Sequence, residues 1–149
     1  ELVAGQLSPS ISNKLGVTQI TPQQIAVVHL YPGISVELIK SMMTDSLKAL
    51  VLLSFGVGNA PQNKEMLELF NNATQSGLVI VNLTQYLQGS VNMGGYATGN
   101  ALLNAGVISG YDMTLEACLT KLHYLLSQNL ETETIRHLMQ DNLKGELTR

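Results

Sequence analysis

Three continuous apolar segments, spaced like the strands of strand–helix–strand units, constrain the fold more than any other feature of this sequence. The segments are "IAVVHL" (25–30), "ALVLLS" (49–54) and "LVIVNL" (78–83), and they begin 24 and 29 residues apart. Their apolar residues do not alternate with polar ones, which is typical of strands buried on both faces. Parallel neighbours also need a crossover of about a dozen residues or more. The pattern therefore predicts a parallel sheet covered by helices.

The segments between and after these strands have helical patterns. Ser35 can cap a first helix, and a second is predicted over 61–76, begun by its proline. A short strand is expected roughly over 105–110, and two amphipathic helices follow, the last running from near Thr132 to Gly145. The predicted class is α/β, three-layered, with about four parallel strands of the flavodoxin- or Rossmann-like kind. The apolar positions predicted for the first helix are Leu38, Ile39, Met42 and Met43.

The composition fits one packed domain and argues against two kinds of partner, nucleic acids and membranes. Of 149 residues, 45% are hydrophobic and 13% are charged, so a core is expected. The net charge is −3 and the basic residues are scattered, which argues against a nucleic-acid partner. No apolar run approaches the roughly 20 residues that span a bilayer, so a membrane partner is not expected either. The lone cysteine, Cys118, favours an intracellular protein.

The first 24 residues are expected to be a linker. Residues 1–24 are polar and contain two prolines, whereas the apolar pattern occupies 25–149. The sequence opens with "ELVAGQ", without an initiator methionine. We therefore expect 1–24 to lead in from a missing N-terminal domain, and 25–149 to form a packed domain of its own.

The loops that follow the strands are the predicted location of a site. In parallel sheets these loops share the carboxyl edge, where ligands bind. One of them, "FGVGNAPQN" (55–63), resembles a phosphate loop, but it lacks the third glycine and the later acidic residue of a dinucleotide fingerprint. A tight turn that starts a helix is the simpler interpretation. A glycine-rich passage over 88–100 suggests positive φ angles or the close approach of another chain or ligand.

The sequence contains no recognisable catalytic or metal-binding motif. No histidine, cysteine or carboxylate spacing fits a metal site, and no G-x-S-x-G elbow occurs. His29 ends an apolar strand and is expected in the core, and Cys118 lies on a buried helical stripe where it should be inert. We predict no catalytic residue, no metal and no cofactor in this chain.

Three longer motifs resemble a known family. "LSFGVGNAPQN", "VNLTQYLQGSVNMGGYATGNALLNAGVI" and "DMTLEACLTKLHYLLSQNLETETIR" are similar to the C-terminal domain of the cytoplasmic, type I bacterial L-asparaginases. The resemblance extends over nearly all of 22–148. It implies a two-domain hydrolase that converts L-asparagine to L-aspartate and ammonia, with the catalytic threonine in an N-terminal domain outside this chain.

The resemblance also implies partners and substrate contacts. Each family active site lies between an N-terminal domain and the C-terminal domain of a second subunit, in a homodimer or tetramer. The family asparagine that crosses this interface maps onto Asn59. Tyr96 and Thr98 in the glycine-rich passage are further substrate-binding candidates. Gly56 and Gly58 would let the loop approach the partner closely.

A second, regulatory site of the family is altered here. Some type I members are activated by asparagine, through a site that includes an arginine and a cysteine. Leu53 stands where the arginine would be and Tyr86 where the cysteine would be, whereas Thr84 is kept. Losing the guanidinium removes a bidentate partner for a carboxylate. We therefore expect activation by asparagine to be weak, altered or absent.

Two other functions stay open from the sequence. The chain could be a free-standing amino-acid-binding or regulatory module, which uses the crevice between the edge loops. It could also belong to a related amidotransferase subunit that supplies ammonia for transfer-RNA amidation.

Overall fold

The apolar segments pair side by side in one parallel sheet. A computed structural model describes residues 17–61, 63–86, 88–94 and 97–148 of the chain. Within these ranges four strands are hydrogen-bonded in the order β1-β2-β3-β4, all parallel. The three-layer α/β prediction is confirmed. The strands are β1 (Ile25–His29), β2 (Ala49–Ser54), β3 (Val79–Thr84) and β4 (Ile108–Ser109).

Five helices within the described ranges cover the two faces of the sheet. Because consecutive parallel strands are adjacent and crossovers are right-handed, the connecting helices all fall on one face. We call the side covered by α1, α2 and α3 the first face, and the side covered by α4 and α5 the second face. The helices are α1 (Val36–Met42), α2 (Lys64–Gln75), α3 (Ala97–Asn104), α4 (Leu115–Leu126) and α5 (Thr132–Met139).

Side-chain caps determine where three of the helices begin. The predicted cap at Ser35 is confirmed, since its hydroxyl accepts a hydrogen bond from the N–H of Leu38. Asn63 and Thr114 cap α2 and α4 in the same way. The prediction that α2 starts at Pro61 is wrong, because Asn63 satisfies a free N–H of the first turn and α2 begins after it. Such a cap is worth about 1 kcal/mol.

Several other predictions differ from the structure. The sequence pattern did not predict α3, which forms directly after the glycine-rich passage. The last helix ends at Met139 and not at Gly145. Leu38, predicted to be apolar core, is 47% exposed, and Val36 and Ile39 are the buried residues of α1. His29 is also exposed at the end of β1.

A buried lysine attaches the C-terminal segment to the second face. Lys121 of α4 is 6% exposed and donates to the carbonyls of Met139 and Asp141 at the end of α5. Its ammonium also lies 2.6 Å from Oε1 of Glu146. A cation at a helix C-terminus is favourable because the last carbonyls carry partial negative charge. Lys121 thus ends α5 and holds the segment that follows it.

The same contact changes the pKa of Glu146. Partial burial opposes ionisation, but the bonds from Lys121 and from the N–H groups of Leu143 and Lys144 outweigh it. Together they lower the pKa of Glu146 from 4.5 to about 2. The ionised carboxylate is therefore a stabilising part of the fold.

This pKa shift predicts a stability that depends on pH. Because the folded pKa lies below the unfolded one, the contribution of Glu146 is present above pH 4.5 and is lost as the pH falls to about 2. We expect Glu146→Gln to lower the urea midpoint at neutral pH. The difference from the parent chain should shrink as the pH falls through that window.

The exposed pair of Lys64 and Glu68 supplies the control. Their charged groups lie 3.7 Å apart and their side chains are 92% and 63% exposed, so the pair contributes little. Glu68→Gln should leave the midpoint unchanged. A constant difference between Glu146→Gln and the parent from neutral pH to pH 2 would contradict the prediction.

Candidate functional site

Hydrogen bonds tie together the loops at the carboxyl edge of the sheet. The side chain of Gln85, just past β3, donates to the carbonyl of Leu30 at 2.6 Å and to that of Leu53 at 2.9 Å. It therefore connects the ends of β1, β2 and β3. The hydroxyl of Ser109 on β4 donates to the carbonyl of Val91 at 3.0 Å, which attaches the passage after β3. Hydrogen bonds thus connect the loops at all four strand ends.

The turn after β2 is the most tightly built part of this edge. Phe55 and Asn59 exchange both backbone hydrogen bonds, each 2.8 Å long, so that residues 56–58 close a short loop. Gly56 and Gly58 have φ angles of +52° and +110°, a region that favours glycine. We call residues 55–59 the edge turn. Its geometry confirms the simpler interpretation of a tight turn before a helix.

Two side chains of β3 hold the backbone carbonyls of the edge turn. The amide nitrogen of Asn82 donates to the carbonyl of Gly58 at 3.0 Å. The hydroxyl of Thr84 donates to the carbonyl of Gly56 at 2.7 Å. The N–H of Asn92 also donates to the carbonyl of Val57, so another loop supports the turn. Sequence reasoning missed Asn82, although a polar residue inside an apolar strand is a usable signal.

Gly58 leaves no room for a side chain. A Cβ at this position would lie 2.7 Å from Cγ1 of Val91 and 3.2 Å from the amide nitrogen of Asn82. A similar contact occurs in the glycine-rich passage, where a Cβ on Gly99 would lie 2.6 Å from the carbonyl oxygen of Met93. The close approach expected from the glycines is therefore found inside the domain itself.

Two of the three predicted substrate-binding residues, Asn59 and Thr98, lie within the described ranges. Asn59 is half-buried at the end of the edge turn, and its amide nitrogen lies over Gly56, 3.9 Å from where a Cβ would be. Tyr96 lies outside the described residues. Thr98 belongs to the first turn of α3.

The predicted effector residues lie near each other along the sheet edge but point differently. Leu53 and Thr84 are at the ends of neighbouring strands, where Ser54 and not Leu53 is the register partner of Thr84. Because side chains alternate along a strand, Leu53 packs on the second face whereas Thr84 points to the first. Tyr86 is 63% exposed, and its N–H donates to the hydroxyl of Thr84.

Hydroxyl and thiol groups near the sheet have structural roles. The hydroxyl of Ser54 donates to the carbonyl of Leu83, as those of Thr84 and Ser109 do to other carbonyls. Burial raises the pKa of the Cys118 thiol from 9.0 to about 12, although the nearby Lys121 ammonium opposes this. The expectation of an inert Cys118 agrees with that shift.

Other kinds of site are not found in the part of the chain that the structure describes. No group of three or more histidines, cysteines or carboxylates there could hold a metal ion. The longest helices in those ranges have 12 residues, and none is both long and apolar enough to cross a membrane. A cavity of about 1070 Å³ lies beside α4, lined by Ile20, Tyr124 and Leu143 among others, away from the edge turn.

The edge also carries exposed apolar side chains. Tyr31 after β1, Val57 in the edge turn and Tyr86 after β3 are 48%, 38% and 63% exposed. Large apolar groups that gather at one edge are typical of a surface that another protein surface covers.

The fold and the edge together define a class of protein domain. It is a parallel α/β domain that presents a clamped turn at the carboxyl edge of its sheet. The chain belongs to the glutaminase/asparaginase C-terminal domain family, whose model matches residues 24–139. The resemblance to the C-terminal domain of the L-asparaginases is thereby confirmed.

Individual relatives support the membership of this chain in the family. L-asparaginase 1 of Escherichia coli is 60% identical over 141 residues, which are 95% of this chain and 42% of that protein. A glutamyl-tRNA(Gln) amidotransferase component of Methanobrevibacter smithii is 35% identical over 134 residues, 90% of this chain and 30% of that protein. The crystal structure of L-asparaginase I from Vibrio cholerae superposes on this chain with a TM-score of 0.92 and 54% sequence identity. The match covers 99% of this chain and 44% of the Vibrio cholerae chain. The chain thus spans less than half the length of these relatives.

The packing around Gly58 predicts a large effect of one methyl group. Gly58→Ala adds the cost of overpacking against Val91 to the strain of a positive φ angle. Gly33 is the matched control, because its φ is +87° but nothing in the described chain lies within 4 Å of its Cβ position. In urea unfolding, Gly58→Ala should lose about 1–3 kcal/mol more than Gly33→Ala. Equal losses would mean that the edge turn has room for a side chain.

Proposed function

We propose that this chain is the C-terminal domain of an L-asparaginase, which hydrolyses L-asparagine to L-aspartate and ammonia. The observation that carries the proposal is the edge turn, a Gly-Val-Gly-Asn sequence that β3 clamps at the carboxyl edge. The 60% identity to an L-asparaginase supports the same function. Residues 1–24 then connect this domain to an N-terminal domain that supplies the catalytic threonine.

Asn59 is the proposed substrate contact. Amide hydrolysis requires the α-amino and α-carboxylate groups of asparagine to be held while the side-chain amide is attacked, because misplacement costs rate. A neutral carboxamide can accept from the ammonium without adding an ionisable group. Tyr96 and Thr98 are proposed as further contacts from the glycine-rich passage. The proposed reaction uses water and no cofactor.

A second subunit is the proposed cover of the carboxyl edge. The side chains of Tyr31, Val57 and Tyr86 are exposed at three strand ends, and Val57 belongs to the edge turn itself. Covering them with an N-terminal domain would remove apolar surface from water and bring Asn59 to the reacting substrate. We propose a cytoplasmic homodimer or tetramer in which each active site is shared between subunits.

Asn59→Ala tests this proposal in the complete enzyme, meaning this chain joined to an asparaginase N-terminal domain. The complete enzyme can be made as a chimaera, in which this chain replaces the matching region of L-asparaginase 1 of Escherichia coli. The variant should raise KM for asparagine, lower kcat, or both, for a combined loss of about 10- to 100-fold in kcat/KM. Steady-state ammonia release measures both constants.

Two controls make the result decisive. Glu68→Gln, on the exposed side of α2 and outside the proposed interface, should leave KM and kcat unchanged, and the isolated chain should release no ammonia. Unchanged kinetics of Asn59→Ala would remove the edge turn from the active site. Ammonia release by the isolated chain would overturn the proposal that the catalytic threonine lies in another domain. Tight binding of asparagine to the isolated chain would favour a free-standing binding module.

We also propose that activation by asparagine is weak or absent. Leu53 offers no charge to a carboxylate and packs on the second face, away from Thr84. The Thr84 hydroxyl is already bonded to the carbonyl of Gly56. Neither residue is therefore arranged to bind an amino-acid effector.

Rate curves of the complete enzyme test this second proposal. We expect a hyperbolic dependence of rate on asparagine concentration, with a Hill coefficient near one. A sigmoidal curve that Thr84→Val converts to a hyperbola would contradict it.

A further inference from the structure

We propose that Asn82 is a positioning residue that orients Asn59 toward the substrate. The inference rests on the proposed function, since it needs the edge turn to contact substrate. Asn82 acts through its bond to the carbonyl of Gly58, the residue directly before Asn59. It does not itself touch the substrate.

The geometry of one peptide plane is the first argument. The carbonyl of Gly58 and the N–H of Asn59 belong to the same rigid peptide unit. Asn82 holds the oxygen end at 3.0 Å, and the carbonyl of Phe55 accepts from the N–H end at 2.8 Å. Both ends of the plane are thus held, which sets the direction in which the Asn59 side chain leaves the backbone. Glycine at 58 would otherwise allow several orientations.

The environment of Asn82 is the second argument. Its side chain is 0% exposed within an otherwise apolar strand segment, Val79–Leu83. Its Oδ1 has no hydrogen-bond partner within the described structure. A buried acceptor without a partner costs stability, and a leucine of similar size would remove that cost, but it would also leave the buried carbonyl of Gly58 without this donor. The two costs oppose each other, so packing of the core alone does not account for an asparagine here, whereas its bond to the edge turn does.

Burial also excludes one alternative role. Asn82 begins an Asn-Leu-Thr triplet, which is a glycosylation acceptor pattern. A side chain without exposed surface cannot accept a glycan in the folded protein. The hydrogen bond to Gly58 therefore accounts for Asn82 better than glycosylation does.

Asn82→Leu in the complete enzyme is the test. We expect kcat/KM for asparagine to fall about 10-fold or more, because the substrate contact is misplaced. The urea midpoint should fall no further than that of Thr74→Val, because each variant removes a side-chain donor to a backbone carbonyl and only Asn82→Leu also removes an unpartnered buried acceptor. If this variant does not fold, Asn82→Ser serves for the same measurements, because its shorter hydroxyl does not span the distance to Gly58.

Thr74→Val is the matched control, since it also removes a side-chain group that donates to a backbone carbonyl, that of Ala105, at 2.9 Å. It should change the midpoint without changing KM or kcat by more than about twofold. A fall in kcat/KM of Asn82→Leu that is matched by Thr74→Val would indicate a general structural effect and overturn the proposal.

The double variant separates this inference from the proposed function. If Asn82 acts through Asn59, adding Asn82→Leu to Asn59→Ala should cause little further loss, so the effects are not additive. Additive losses would overturn the positioning role. If Asn59→Ala is harmful and Asn82→Leu is not, only this inference fails. If Asn59→Ala has no effect, the proposed function fails first.

Discussion

The parallel sheet is the constraint on which the rest of the structure depends. Its strands are buried on both faces, so each face must be covered by helices. With the order β1-β2-β3-β4, the crossover helices all cover the first face. The second face is covered by α4 and α5, which follow β4 in the chain. Lys121 completes that layer by holding the segment after α5.

The same order of strands shapes the candidate site. Open sheets form a ligand crevice where the strand order reverses, and the described sheet does not reverse. In the described residues this region is an edge, with the clamped edge turn and the exposed Tyr31, Val57 and Tyr86. A site built on such an edge needs a second surface to enclose a small molecule. This supports the proposal of an active site shared between domains.

Predictions from the sequence were accurate where one strong local signal acts. The strand 49–54 matches β2 residue for residue, and the other long strands differ by one residue at their ends. The start of α2 was misplaced because Pro61 and Asn63 are both good start signals, and a hydrogen bond to Met66 decided between them. Helix α3 was missed because glycines disfavour helices, yet Gly99 is needed where the helix backbone meets Met93.

The sequence alone determined the α/β class, the strand positions and the family, because periodicity and motifs are local properties of the chain. Through the family resemblance it also made Asn59 a candidate substrate contact. It did not reveal the role of Asn82 or of Lys121. Both residues act on partners 18 to 25 positions away, and their contribution depends on burial and on which groups the fold brings within 3.2 Å of them. Only the tertiary structure decided those contacts, because hydrogen bonds between distant segments depend on how the faces of the sheet are packed.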